Sequence, residues 1–218
     1  MKKLILSIII LIIFSVSSSF AQSPAKVSMG LRAGANITKL QGKQIGGMQD
    51  YTTGFDFAIP IEVSFSQNFA LQPELHYISK GTAASLNEVL KIRAFQNYLE
   101  LPILLKGKIG NEKLSGYAIA GPSFGYATNV YSIVTIDGEK ERELGDFDKD
   151  ADNRFDFGVS FGIGAELQAG EGKVVFDVRY GADFNDNAQF RYEEPKGWSG
   201  FYNSGIAITA GYMIPIGK

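Results

Sequence analysis

The chain alternates apolar and polar residues in about eight stretches, the period of two that is typical of β-strands. The stretches cover residues 27–37, 55–65, 69–77, 99–106, 115–133, 155–167, 174–180 and 205–216. The sixth is the clearest, since Phe157, Phe161 and Ile163 lie on one side and Asp156 and Glu166 on the other. In the fifth stretch the pattern does not show which side faces which way. The alternation predicts an all-β fold.

The connections between these stretches differ in length in a regular order. Three are short, at 66–68, 107–114 and 168–173, and four are long and polar, at 38–53, 81–94, 134–153 and 182–203. Because antiparallel neighbours turn at alternate ends, every short turn lies on one rim and every long loop on the other. This sorting is typical of outer-membrane barrels. The sequence predicts an eight-stranded antiparallel up-and-down transmembrane β-barrel with short periplasmic turns and long outward loops.

The polar side of the predicted strands holds nearly all of their charges. These residues are Arg32, Asp56, Glu62, Glu74, His76, Glu100, Lys106, Asp156, Glu166, Asp177 and Arg179. In a water-soluble barrel they would face solvent, whereas a membrane barrel encloses them. The sorted loops favour the membrane case, so we expect a lumen polar network. Its three cations, Arg32, Lys106 and Arg179, are outnumbered by seven acids.

The first 21 residues have the features of an export signal. Lys2 and Lys3 precede an apolar run over residues 4–16, and Ser19 and Ala21 are small residues before a cleavage site. The run is too short for a membrane-spanning helix, which needs about 20 residues. We expect a signal peptide over residues 1–21, cleaved before Gln22, and an outer-membrane β-barrel domain over residues 22–218.

Composition excludes several classes of site. The chain has no cysteine, so disulfides and thiolate metal sites are absent. Losing Lys2 and Lys3 would change the formal charge from −2 to −4, which gives no electrostatic basis for nucleic-acid binding. We therefore expect no nucleic-acid partner, no cofactor and no metal.

Three features could carry chemistry, and each has a simpler interpretation. His76 is the single histidine, with Glu74 on the same face, but a lumen histidine is more often a hydrogen-bonded filler than a general base. Acids at 146, 148, 150 and 152 resemble a calcium loop, yet Asn153 and Val159 occupy positions that need Gly and Glu. Aromatic residues at 190–202 suit either a contact surface or an interfacial belt.

Several segments resemble a known family. They are 72–77 (QPELHY), 79–81 (SKG), 98–106 (YLELPILLK) and 120–123 (AGPS), with 30–36 (GLRAGAN) and 155–158 (FDFG). Together they resemble the PorT-like outer-membrane β-barrel family of Bacteroidota over essentially the whole mature chain. The resemblance implies the fold and the outer membrane. The founding member is associated with assembly of a protein-secretion system, a role that these strand-packing segments give no reason to transfer.

The last strand also resembles the insertion signal that barrel-assembly machinery recognises. Thr209, Gly211, Ile214 and Ile216 match its polar, glycine and hydrophobic positions, although a terminal Phe is missing. We expect that machinery to be a partner during insertion.

The sequence therefore predicts a porin-like outer-membrane barrel with a structural or surface-interaction role and no catalysis. Expected partners are outer-membrane lipid, lipopolysaccharide and a protein bound at the outward loops. The alternatives are a narrow cation-preferring pore and a lipid-active outer-membrane enzyme.

Overall fold

The computed structural model describes residues 26–41, 50–85, 89–147, 154–184 and 202–216. The strands are β1 (Lys26–Gln41), β2 (Thr52–Ser64), β3 (Phe69–Ser85), β4 (Leu90–Gly110), β5 (Leu114–Ile136), β6 (Glu139–Gly145), β7 (Phe155–Ala169), β8 (Gly172–Asp183) and β9 (Tyr202–Ile216). None of the described residues forms a helix that could span a membrane. The expected signal peptide and its cleavage site lie outside them.

Eight of the strands close into a ring. Each pairs antiparallel with its neighbours in the order β1, β2, β3, β4, β5, β7, β8 and β9, and β9 pairs back onto β1. β6 lies outside this ring and pairs with β5 alone among the described strands. The predicted eight-stranded antiparallel barrel is confirmed.

The apolar side of the wall faces outward. Phe57 and Phe161 are 54% and 50% exposed, whereas Asp156 and Glu166 on the other side are 5% and 7% exposed. A soluble barrel would have the opposite arrangement. The barrel therefore exposes apolar side chains on its outer surface and encloses its charged side chains, as a membrane barrel must.

β5 has a definite inner face, which the sequence pattern left open. Tyr117, Ile119 and Ser123 are buried inside, and Phe124 and Tyr126 are exposed outside. Tyr117 and Ile119 form a small apolar cluster with Leu104 of β4, which is fully buried. Inward apolar residues on this strand explain why alternation of polarity did not identify its faces.

The short turns at the periplasmic rim are closed by side-chain hydrogen bonds. The Ser66 hydroxyl accepts from the backbone N–H groups of Asn68 and Phe69 at 3.2 and 3.0 Å. Asn111 Oδ1 accepts from the N–H groups of Lys113 and Leu114 at 2.9 and 3.0 Å. Such caps replace ladder bonds where the chain reverses.

At the other rim, strands occupy much of what was expected to be loop. β5 has 23 residues, about 75 Å at roughly 3.3 Å per residue, although about 9 to 11 residues cross a membrane. We call residues 79–85, 90–97, 130–136 and 139–145 the outer extension. β5 and β6 are joined by Asp137 and Gly138, whose φ angles of 49° and 87° suit a tight hairpin turn. The extension makes the barrel wall much taller on one side.

Candidate functional site

The barrel interior contains all eleven charged residues expected there. Ten are buried, and the side chain of Glu100 is 11% exposed. They form three layers, which are described from the centre outward. Since an eight-stranded barrel is only wide enough for its own side chains, their pairing decides whether a channel remains.

Glu74 of β3 is the centre of the middle layer. Its carboxylate receives two hydrogen bonds from Arg179, at 2.6 Å from Nη1 and 3.0 Å from Nη2. Arg32 Nη1 donates to the same carboxylate at 3.2 Å. A two-pronged arginine–carboxylate contact is strong and directional. These three side chains, from β1, β3 and β8, thus bridge the lumen.

Asp177 of β8 completes the middle layer on the opposite side of the arginines. It accepts from Arg179 Nε at 2.9 Å and is 2.9 Å from Arg32 Nη1. The hydroxyls of Tyr117 and Thr209 also donate to it, at 2.7 and 2.9 Å. Every oxygen of the Asp177 carboxylate is therefore partnered, as a buried charge requires.

His76 lies between two carboxylates in the same layer. Its Nδ1 is 2.7 Å from Asp56 Oδ1, and its Nε2 is 2.5 Å from Glu74 Oε2. A histidine acting as general base needs one nitrogen directed at the group that it deprotonates. Both nitrogens of His76 are occupied, so its geometry is that of a structural bridge.

A second layer lies toward the periplasmic rim. Lys106 Nζ is 2.7 Å from Glu62 Oε2 and also pairs with Glu166. Lys173 bridges the same two acids at 2.9 Å each, and Lys108 contacts Glu62 at 2.9 Å. Strands β2, β4, β7 and β8 are thereby tied across the lumen.

A third layer lies toward the outer rim. Lys80 Nζ is 2.9 Å from Asp183 Oδ2 and 2.6 Å from Glu100 Oε2. The ammonium also lies 5.0 Å from the centre of the Tyr98 ring, a cation–π contact. Asp156 is buried on the same side of the barrel. This layer uses β3, β4, β7 and β8.

Sequence reasoning missed four interior charges, namely Lys80, Lys108, Lys173 and Asp183. Each lies just beyond the strand ends that were predicted, so the alternation was not extended to them. Among the described residues the inward acids are Asp56, Glu62, Glu74, Glu100, Asp156, Glu166, Asp177 and Asp183, and the inward cations are Arg32, Lys80, Lys106, Lys108, Lys173 and Arg179. The excess of acids is two rather than four, and the electrostatic case for a cation pore is correspondingly weaker.

Two water-accessible spaces lie along the barrel interior. On the outer side, a cavity of about 50 Å³ is bounded by His76, Lys80, Arg179 and Asp183, which is room for about four waters. At the periplasmic rim, a cleft of about 910 Å³ is lined by polar residues that include Lys108 and Glu166. The middle and periplasmic-side layers lie between them. Among the described residues, packed ion pairs therefore separate the two spaces.

The other candidates are only partly described. Of the acids proposed for calcium, Asp146 alone lies in the described ranges, and of the loop aromatics only Tyr202 does, with 40% exposure. The described residues contain no cluster of acids or histidine arranged to hold a metal. In the last strand Thr209 points inward, Ile214 and Ile216 point outward, and a side chain at Gly211 would clash with the carbonyl of Leu31. Their recognition as an insertion signal stays a prediction.

Comparison with known families identifies the chain at the level of its domain. The family described as outer membrane protein beta-barrel domain matches residues 20–189, well over half of the 218 residues. The chain belongs to this family. It is accordingly an outer-membrane β-barrel protein. No curated protein matches the chain.

Solved structures with a similar fold come from several bacteria. Ail of Yersinia pestis, in complex with the heparin analogue sucrose octasulfate, is 14% identical over 87% of this chain and 99% of its own, with a TM-score of 0.42. Neisserial surface protein A is 10% identical over 85% and 96%, with a TM-score of 0.45. OprG of Pseudomonas aeruginosa is 10% identical over 89% and 98%, also with a TM-score of 0.45. At such identities the likeness concerns the fold alone.

Proposed function

We propose that this protein is a sealed outer-membrane anchor that acts through its outer extension, in a surface-interaction role without catalysis. The observation that carries the proposal is the set of ion-paired layers between the outer cavity and the periplasmic cleft. Because the charged side chains of these layers are paired with one another across the lumen, they leave no continuous path for ions. The part of the protein that remains available for contacts is the strand-built extension beyond the membrane.

Conductance in planar bilayers tests this proposal against its main competitor, a narrow cation-preferring pore. The refolded wild-type protein should produce no current steps above the bare bilayer. A variant with serine in both layers between the two spaces, at Arg32, Glu74 and Arg179 and at Glu62, Lys106 and Glu166, should produce small steps. Steady cation-selective steps from the wild-type protein would establish the pore instead.

The remaining competitor is a lipid-active enzyme, for which His76 would be the base. The contacts of His76 with Asp56 and Glu74 support a structural role instead. A His76→Gln variant should leave the lipid composition of host outer membranes unchanged. A changed acyl or headgroup profile, restored by the wild-type chain, would support catalysis.

We further propose the route by which the protein reaches the membrane. Export with cleavage before Gln22 rests on the small residues at 19 and 21, and insertion by barrel-assembly machinery rests on the pattern at 209–216. Placement in the PorT-like branch rests on the segments at 72–77 and 98–106. The intact mass of the membrane-extracted protein should match residues 22–218, and a mass that includes residues 1–21 would exclude cleavage.

A further inference from the structure

The charges of β6 are sorted onto its two faces. The strand reads Glu-Lys-Glu-Arg-Glu from residue 139 to residue 143, and all of its residues are exposed. Because successive side chains of a strand point to opposite sides, the three glutamates lie on one face. Lys140 and Arg142 lie on the other face.

Strand pairing brings two more cations to the face of Lys140 and Arg142. Lys140 pairs with Thr135 of β5, which pairs with Lys91 of β4. Arg142 pairs with Ile133, which pairs with Arg93. Since directly paired residues share a face, these cations form one patch. We call Lys91, Arg93, Lys140 and Arg142 the basic face.

The basic face continues the lipid-facing side of the barrel wall. The register of β4 with β3 is unbroken from Lys91 to Leu99, so Lys91 and Arg93 have the same orientation as Leu99. Leu99 and Leu101 are exposed on the apolar wall, at 45% and 44%. The glutamates of β6 lie on the opposite side, which continues the interior. The extension therefore turns its cations toward the surrounding membrane.

Cation–aromatic pairs mark the level at which this side of the wall leaves the apolar belt. Arg154 lies 4.5 Å from the centre of the Tyr126 ring, and Tyr126 pairs with Leu99 at the top of that belt. Higher on the extension, Arg142 lies 4.1 Å from the Tyr131 ring. Aromatic rings with adjacent cations are typical of the membrane–water interface. The headgroup region therefore begins near Tyr126, below the basic face.

The height of the basic face distinguishes between classes of lipid. Arg93 is six residues from Leu99, about 20 Å along the strand and roughly 15 Å above it at a tilt of about 40°. An ordinary headgroup layer is only about 6 Å thick. Anions that reach Arg93 must therefore belong to a lipid with a much larger headgroup.

From these observations we infer that the basic face is a binding site for the phosphates of an outer-leaflet glycolipid, held by Lys91, Arg93, Lys140 and Arg142. Four cations on one flat face match the repeated phosphates of a phosphorylated sugar headgroup, and the neighbouring apolar wall accommodates its acyl chains. This inference rests on the proposed function, because both take the outer extension as the surface through which the protein acts. It does not require a sealed lumen.

Lipid binding by the full-length protein in detergent tests the site, with lipopolysaccharide that carries core phosphates as the probe. The wild-type protein should bind it, and chemically dephosphorylated lipopolysaccharide should bind at least tenfold more weakly. Each of two pairs of substitutions, Lys91→Ser with Arg93→Ser and Lys140→Ser with Arg142→Ser, should weaken binding by at least tenfold, since one cation near an anionic surface contributes about fivefold. The matched control, Lys26→Ser with Lys113→Ser, removes two lysines at the periplasmic rim and should bind as the wild type does.

The outcomes separate this inference from the proposed function. Equal binding by both basic-face variants and the control would overturn the site, whatever the conductance result. If inorganic pyrophosphate displaced lipopolysaccharide at an equal molar concentration, a free phosphate anion would suffice as the ligand. The assignment of the site to a lipid would then be wrong. The Lys140 and Arg142 pair lies outside the barrel ring, so that variant reports on binding even if changes in β4 impair folding.

Discussion

At the scale of single residues, Glu74 holds the interior together. It contacts both buried guanidinium groups of the middle layer and one nitrogen of His76. Removing one member of a buried charge network leaves its partners charged and unpaired, which costs far more than the network contributes when intact.

We expect Glu74→Ala to lower the free energy of unfolding by about 3–5 kcal/mol, because Arg32 and Arg179 lose their shared partner. Urea titration of the refolded protein in lipid vesicles, followed by circular dichroism, measures the change. Glu112→Ala, in the exposed turn between β4 and β5, is the matched control and should change the value by less than about 0.5 kcal/mol. Equal effects of the two substitutions would mean that the middle layer is not an ion-paired unit.

The interior residues show how far sequence reasoning extends at this scale. The alternation placed Glu74, Asp177 and Arg179 on the inner side, but it could not show which acid contacts which cation. Those contacts depend on strand register and barrel stagger, which bring β1 beside β3 and β8 across the lumen. Lys80 and Asp183 could have been found by extending the same period of two beyond the predicted strand ends.

At the scale of elements, the pairing of β1 with β9 closes the barrel. The two strands pair over nearly their whole lengths, from Val27 opposite Ile216 to Gln41 opposite Tyr202. Gly34 lies in this pairing, and a side chain there would clash with the carbonyl oxygen of Ile208. The close approach of the two backbones therefore requires glycine at this position.

Gly34→Ala should destabilise the barrel by about 1–3 kcal/mol, because the added methyl group must push the closing strands apart. Gly181→Ala is the matched control, since Gly181 also lies in the wall and a Cβ there would meet nothing within 4 Å. Urea midpoints of the two variants provide the comparison. A Gly34→Ala midpoint at or above that of Gly181→Ala would contradict the close packing of β1 on β9.

The part of the outer extension formed by β5 and β6 should be separable from the barrel. Among the described strands β6 pairs with β5 alone, and Ala127 N–H donates to the Arg154 carbonyl at 2.8 Å, so these two chain positions are adjacent. Replacing residues 130–152 with a four-residue Gly/Ser loop should leave a folded barrel. Its mobility on gels before and after heating measures folding, and failure to form the compact band would show that the ring depends on the extension.

The extension also shows where element prediction from sequence failed. The residues of β6 were taken as loop because five of seven are charged, and charge alone suggests solvent exposure rather than strand. The turn Asp137-Gly138 was the available signal, since Asp-Gly between two alternating segments is a strong hairpin indicator. A second signal for a strand was the alternation of charge sign from residue 139 to residue 143.

At the scale of the whole molecule, the fold inverts the usual arrangement of a globular protein. The sorted loop lengths were sufficient to predict this inversion, because they depend on which rim faces the periplasm. They could not predict whether the lumen is open, since that depends on the contacts among about fourteen side chains from different strands. The fold can thus be predicted from the sequence pattern, whereas whether the lumen is open depends on how its side chains pack.

The most direct test of the inversion is a spin-label scan along β7. The chain has no cysteine, so single cysteines can be introduced at each position from 157 to 167 and labelled in the reconstituted protein. Accessibility to oxygen, which concentrates in hydrocarbon, should be high at Phe157, Val159, Phe161, Ile163, Ala165 and Leu167 and low at the positions between them. High accessibility at the alternate positions instead, or no period of two, would contradict an apolar wall that faces lipid and a charged interior.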